Sequence, residues 1–132
     1  MKIGIVGCAG RMGRMLAEAV LAAEGCALAG GTERPGGDAV GRDIGELVGR
    51  GPLGIPVITD PGQLIAASDA VIDFTTPAAT VSHAMLAASA KKILVVGTTG
   101  LSAEDEAQLR KASDSTPVVY APNFSVGVNL LM

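Results

Sequence analysis

KIGIVGCAGRMGRMLAEAVLAAEG, residues 2–25, changes its period once, and that change decides the fold. Lys2 to Val6 is a short apolar run of strand type that ends at Gly7. From Arg11 onward, Met12, Met15, Leu16, Ala19, Val20 and Ala23 recur at helical spacing and predict one buried helix face. Between the two lies Gly7-Cys8-Ala9-Gly10-Arg11-Met12-Gly13, a GxxGxxG spacing. A side chain at such a turn would block a pyrophosphate from the first helical amides, whose partial positive charge attracts it. Glycine at the last position lets helix and strand pack closely. A glycine triplet alone says little, because helix–strand turns often carry one for packing. Here it follows a strand and opens an amphipathic helix, the context that dinucleotide binding requires. Gly7, Gly10, Arg11, Met12 and Gly13 are therefore the expected cofactor cradle. The Arg11 side chain either donates to pyrophosphate or ribose, or stays solvated.

The alternation continues. Ala27 to Thr32 reads as a second strand, and Glu33 to Gly54 as a glycine-rich excursion with one helical turn around Asp43 to Val48. No function attaches to positions 36–54. Pro56 to Thr59 reads as a strand, Pro61 to Ala67 as a short helix and Ala70 to Phe74 as a strand. Thr76 offers an N-cap hydroxyl with Pro77 at the first helical position. The helix that follows is expected to bury Val81, Ala84, Met85 and Ala88. Ile93 to Val96 is continuously apolar, as strands covered on both sides are. Ser102 and Asp105 have capping-box spacing for a helix to about Ala112, and Val118 to Tyr120 is a last strand. This order predicts an α/β, Rossmann-type, doubly wound and mostly parallel sheet with helices on both faces. Ligands bind such sheets beyond the C-terminal strand ends. The loops after Val6, Thr32, Phe74, Val96 and Tyr120 are the ones to inspect.

Composition narrows the class. The chain has 132 residues, enough for a single core, with 48% hydrophobic and 17% charged residues. A net charge of −3 and no basic stripe argue against nucleic-acid or membrane-surface partners. No apolar run approaches the ~18 residues of a membrane helix. Cys8 and Cys26 form no CxxC pair, which fits a reduced, cytoplasmic protein, and no metal is expected. Cys8 reads as a small filler in the glycine loop.

Glu33 lies 20 residues after Gly13 at the tip of the second strand, where a carboxylate can accept both hydroxyls of an adenosine ribose. Arg34 beside it can reach the 2′-phosphate of NADPH as a bidentate donor. An exposed salt pair is the plainer reading of the two. The pair points to tolerance of NADH and NADPH, with no preference legible. Asp73 is expected to bond neighbouring loop amides, and Phe74 to pack against loops or touch a cofactor. Gly97-Thr98-Thr99-Gly100 combines bare backbone with two hydroxyls able to donate to a substrate carboxylate.

GCAGRMGR, the Glu33-Arg34 pair, VIDFTTP, VVGTTGLS and YAPNFSVGVN, taken in this order, resemble the N-terminal domain of the 4-hydroxy-tetrahydrodipicolinate (dihydrodipicolinate) reductase family of diaminopimelate and lysine biosynthesis. The resemblance covers essentially the whole chain. It implies that Gly10, Arg11 and Met12 offer amides to the pyrophosphate, Glu33 takes the adenosine ribose and Arg34 the 2′-phosphate. It sets the nicotinamide against Phe74, Thr75, Gly97 and the segment containing Ala121, Asn123 and Phe124, with Thr99 reaching both cofactor and the substrate carboxylate. Thr76 departs from relatives with a cofactor-contacting arginine there.

The family's general acid and lysine sit in a motif of the type E-x-H-H-x-x-K-x-D-A-P-S-G-T in a C-terminal domain, and no such motif occurs here. His83, the single histidine, is expected on the helix surface. The implied organisation is a cofactor-binding domain over 1–124, with 125–132 opening a hinge helix towards a catalytic domain. No catalytic residue is assigned to this chain, and the expectation is cofactor binding without turnover. For the whole enzyme, a homotetramer acting on 4-hydroxy-tetrahydrodipicolinate is implied. The alternatives are a stand-alone nucleotide-sensing module, and a two-domain dehydrogenase of aspartate or homoserine type sharing only the glycine loop.

Overall fold

The computed structural model describes residues 1–121. Five strands form one all-parallel sheet: β1 (Lys2–Val6), β2 (Ala27–Thr32), β3 (Ala70–Asp73), β4 (Ile93–Val96) and β5 (Val118–Tyr120). Their spatial order is β2-β1-β3-β4-β5. Five helices connect them: α1 (Arg11–Ala22), α2 (Ile44–Leu47), α3 (Pro61–Ala67), α4 (Pro77–Ala90) and α5 (Ala103–Ser113). The chain leaves β1 towards β2 and returns on the other side of β1 as β3. The gap over β1 is thus the switch point where such sheets take ligands.

Side chains alternate across the strands, and the two faces build two cores. Val6, Val71, Leu94 and Val96 pack with Leu64 and Ile65 of α3, Ala84 and Ala87 of α4, and Leu109 and Ala112 of α5. Ile5, Cys8 and Leu28 pack on the opposite face with Ala17 and Val20 of α1 and Ile44 of α2. The doubly wound reading holds, with helices on both faces.

Three local expectations are corrected. In α1 the buried residues are Gly13, Ala17 and Val20, while Met12 and Met15 are 40% and 57% exposed. The helix lies so close to the glycine loop that a Cβ on Gly13 would overlap the Gly7 carbonyl and Cys8. At that first turn no side chain fits against the loop, and the larger methionines turn outward. In α4, Thr80, His83, Ala84 and Ala87 are buried and Met85 is 62% exposed, so the face is turned from the one apolar spacing suggests. The polar pair goes in because buried Asp73 and Thr98 need partners, described below. Pro56 to Thr59 is not a strand but carries two isolated bridges, Asp43 with Pro56 and Thr32 with Ile58. Pro56 has no N–H, and its neighbours serve different elements. Val57 N–H donates to the Arg42 carbonyl at 2.9 Å and Ile58 N–H to the Gly31 carbonyl at 3.1 Å.

The caps follow their residues. Thr76 caps α4 with Pro77 in the first turn, and Ser102 and Asp105 form a reciprocal capping box on α5. Asp43 organises the glycine-rich excursion. Its carboxylate caps α2 through Gly45 N–H and also accepts from the amides of Leu53, Gly54 and Ile55. Those bonds hold its carboxyl below the usual carboxylate range.

Candidate functional site

A cleft of ≈ 890 Å³ opens over the C-terminal ends of β1, β2 and β3. Gly7, Ala9 and Gly10 form one wall, Glu33, Arg34 and Arg42 another, and Phe74, Thr75, Ala79 and His83 a third. Arg14, Thr59 and Pro61 complete the rim.

The glycine loop is tied to the sheet by Gly7 and Cys8 N–H groups, which both donate to the Thr32 carbonyl at 2.9 and 3.1 Å. Gly7 has φ +77°, a left-handed conformation that favours glycine. Gly10 is the N-cap residue of α1 and makes no side-chain cap bond, and the first turn of the helix carries no acid. The leading amides of α1 are thus left for an outside acceptor, at the positive end of the helix. A pyrophosphate fits that combination of bare turn and uncapped amides.

Glu33 is half-buried beside the loop, and its Oε2 accepts from Ala9 N–H at 2.9 Å. This acid therefore also braces the glycine loop. Arg34 is exposed at the cleft wall. Arg11 and Met12 are exposed on α1, and neither lines the cleft. Arg14 takes the place at the rim instead, its Nε–H donating to the Ala9 carbonyl at 3.0 Å. Cys8 is fully buried behind the loop; burial, followed by the Glu33 carboxylate, pushes its thiol up to about 12. That fits the filler reading.

Beneath the Phe74 to Thr76 loop lies a polar knot. Asp73, fully buried, accepts from the Thr75 hydroxyl at 2.6 Å through Oδ1 and meets His83 Nδ1 at 2.7 Å through Oδ2. Thr98 Oγ1 accepts from Thr75 N–H at 2.9 Å and from the Thr80 hydroxyl at 2.7 Å. Asp73 thus bonds side chains rather than loop amides, and His83 is 7% exposed rather than on the helix surface. A buried carboxylate needs partners, and these are the ones α4 and the loop provide. Such partners leave no periodic trace; the only sequence clue is a lone acid in an apolar strand.

Gly97 follows β4 with Phe74 against it: a Cβ there would overlap the ring. Thr99 is exposed, while Ala121 is buried after β5. Gly97, Thr99 and Ala121 lie outside the lining of the cleft. Asn123, Phe124 and the expected helix over 125–132 lie outside the described residues. Sequence reasoning passed over Arg14, Arg42, Thr59 and Ala79, which carry no motif and come together only through the fold. Among the described residues, no His, Cys, Asp and Glu group is arranged to hold a metal. None of their helices is long and apolar enough to cross a membrane.

Residues 1–124 match the family model described as "Dihydrodipicolinate reductase, N-terminus". The chain belongs to that family. It is 49% identical over 130 residues to a 4-hydroxy-tetrahydrodipicolinate reductase of Dinoroseobacter shibae, covering 98% of this chain and 48% of that protein. With the same-named protein of Aromatoleum aromaticum it shares 48% over 129 residues, 98% of this chain and 46% of the relative. Among solved structures, a dipicolinate-bound dihydrodipicolinate reductase from Paenisporosarcina sp. TG-14 superimposes with TM-score 0.74 at 27% identity. That match covers 96% of this chain and 49% of the other. The chain spans about half the length of the curated relatives it matches.

Proposed function

We propose that this chain holds NADH or NADPH across the C-terminal edge of its sheet, as the cofactor half of a 4-hydroxy-tetrahydrodipicolinate reductase. The observation that carries this reading is the uncapped start of α1 behind a bare glycine turn, facing Glu33. Family membership supports it. When bound, the cofactor supplies a hydride from C4 of its nicotinamide to the small-molecule substrate.

The chain's own residues bind and orient. Gly7, Gly10 and Gly13 keep the approach clear, and the amides of Arg11 and Met12 meet the pyrophosphate. Glu33 accepts from the adenosine ribose through the oxygen that Ala9 does not hold, and Arg34 forks onto a 2′-phosphate. Phe74, Thr75, Gly97, Ala121, Asn123 and Phe124 flank the nicotinamide. Thr99 donates to a carboxylate of the substrate, a role that suits a dicarboxylate resembling the dipicolinate bound in the Paenisporosarcina enzyme. Glu33 and Arg34 together favour use of both cofactors. The proton that completes the reduction is left to a general acid outside these residues.

Titration of the chain with NADH and with NADPH, followed by cofactor fluorescence and calorimetry, tests the reading. Saturable binding of both is expected, and no binding at millimolar cofactor would overturn it. Turnover of 4-hydroxy-tetrahydrodipicolinate by these 132 residues alone would overturn the restriction to cofactor binding.

A further inference from the structure

Of the two threonines in the Gly97-Thr98-Thr99-Gly100 loop, Thr98 turns inward and is 2% exposed, whereas Thr99 is exposed. Thr98 Oγ1 accepts from Thr75 N–H at 2.9 Å and from the Thr80 hydroxyl at 2.7 Å, and it donates to the Asp73 carbonyl at 3.4 Å. A hydroxyl has one proton and two lone pairs, so these three bonds occupy it completely. Of the two hydroxyls expected to meet a ligand in this loop, that of Thr98 is therefore spent inside the protein.

The positions of its partners define what this bonding does. Asp73 ends β3, and Thr75 lies in the loop that flanks the proposed nicotinamide position. Thr80 is fully buried near the start of α4, the helix that the same loop opens. Thr98 itself follows β4 and leads through Thr99 to the capping box of α5. The two loops also meet at Gly97, whose N–H donates to the Asp73 carbonyl at 2.8 Å and where no side chain fits beside the Phe74 ring. Gly97 brings only backbone to that meeting. The Thr98 hydroxyl reaches across and holds the Thr75 amide, which would lose its acceptor if Thr98 moved.

We propose that Thr98, held by Thr80, is a positioning residue that fastens the Phe74-Thr75 loop to the Gly97–Gly100 loop, so that the nicotinamide and the carboxylate bound by Thr99 meet in one fixed geometry. This rests on the cofactor reading above. The test compares NADH with ADP-ribose, which lacks the nicotinamide, by calorimetry on wild type, Thr98→Val and Thr98→Ser. Wild type should bind NADH more tightly than ADP-ribose. Thr98→Val keeps the shape and removes the hydroxyl; it should weaken NADH by about tenfold, the scale of one lost hydrogen bond, and ADP-ribose by less than about twofold. Thr98→Ser keeps the hydroxyl and should bind both ligands within about twofold of wild type. A general loosening of the fold would weaken both ligands alike.

A readout on the unaltered chain removes dependence on those variants folding. Exchange of the Thr75 amide hydrogen, followed by NMR, reports opening of its bond to Thr98. Saturation with NADH should slow that exchange by about tenfold or more, and ADP-ribose should leave it within about twofold. Equal losses for the two ligands in Thr98→Val, a wild type that binds both equally, or Thr75 exchange unchanged by bound NADH would overturn the role of Thr98 and leave the cofactor reading standing. Absence of any NADH binding would overturn both.

Discussion

Gly97→Ala separates two reasons for a bare residue after β4. If the glycine exists only to let a cofactor approach, an alanine should weaken binding and leave the fold alone. The structure gives the space to Phe74 instead: the added methyl would stand 2.6 Å from Cδ2 of the ring, with two more ring carbons closer still. Carbon pairs prefer about 3.5–4.0 Å, so the ring must swing away or β4 must shift. Overpacking of this kind costs about 1–3 kcal/mol. At about 4 °C per kcal/mol for a chain of this length, Tm should fall by about 4–12 °C. Phe74→Ala alone should also destabilise, because it strips a half-buried ring from the loop. The double variant is the decisive protein. With the ring gone the methyl has room, so the two losses should fall short of their sum by about 1–3 kcal/mol. Thermal unfolding of the four proteins by circular dichroism measures this cycle. Strict additivity, or a Gly97→Ala Tm within 1 °C of wild type (about 0.25 kcal/mol), would refute the reasoning.

Four further outcomes follow from charge and burial. Asp43→Asn should lower the urea midpoint at pH 7 and flatten its pH dependence. The folded carboxyl lies below its ordinary 3.8, so its stabilisation is present above that value and is lost as pH falls through the folded pKa; midpoints at pH 7 and pH 3 should differ less in the variant than in wild type. Cys8 should resist Ellman's reagent at pH 8 while half-buried Cys26 reacts, and both should react in urea. The raised thiol carries the opposite sign: its contribution is intact below the unfolded value near 8.5 and is lost as pH climbs towards about 12, so Cys8→Ala should blunt the alkaline fall in stability. Arg34→Ala should weaken NADPH by about tenfold or more with little change for NADH, as expected for loss of a charged bidentate donor; calorimetry with each cofactor reads the ratio.

Much of this architecture is legible because parallel sheets write themselves into sequence. The change from strand to helix at Gly7 to Arg11, the caps at Thr76 and Ser102, and the apolar run Ile93 to Val96 each need only local rules. What stayed hidden is the orientation of helices, which depends on neighbours far away in sequence. Met12 and Met15 satisfy a helical period, yet the close approach at Gly13 turns them outward. Pro56 to Thr59 has strand composition, but its amides are divided between Arg42 and Gly31. The site divides in the same way. Glycines and Glu33 announce themselves because they stand at the fixed spacing that phosphate and ribose binding would require, whereas Arg14, Arg42 and Thr59 arrive at the cleft only through folding.

The buried knot under the Phe74 loop carries that distinction furthest. Thr75, Thr80 and His83 converge from one loop and one helix on the Asp73 carboxylate and the Thr98 hydroxyl. An apolar α4 face would have packed as well against β3 and β4, and its spacing allows it. A helix turned that way would take His83 from Asp73 Oδ2 and leave only the Thr75 hydroxyl on Oδ1, an unpaired buried polar atom costing about 1–3 kcal/mol. The rotation of α4 is therefore decided by Asp73, not by its own hydrophobic pattern. The same rotation brings His83 to the cleft, so the demand of one buried acid sets both the packing of the helix and the chemistry of the cavity wall.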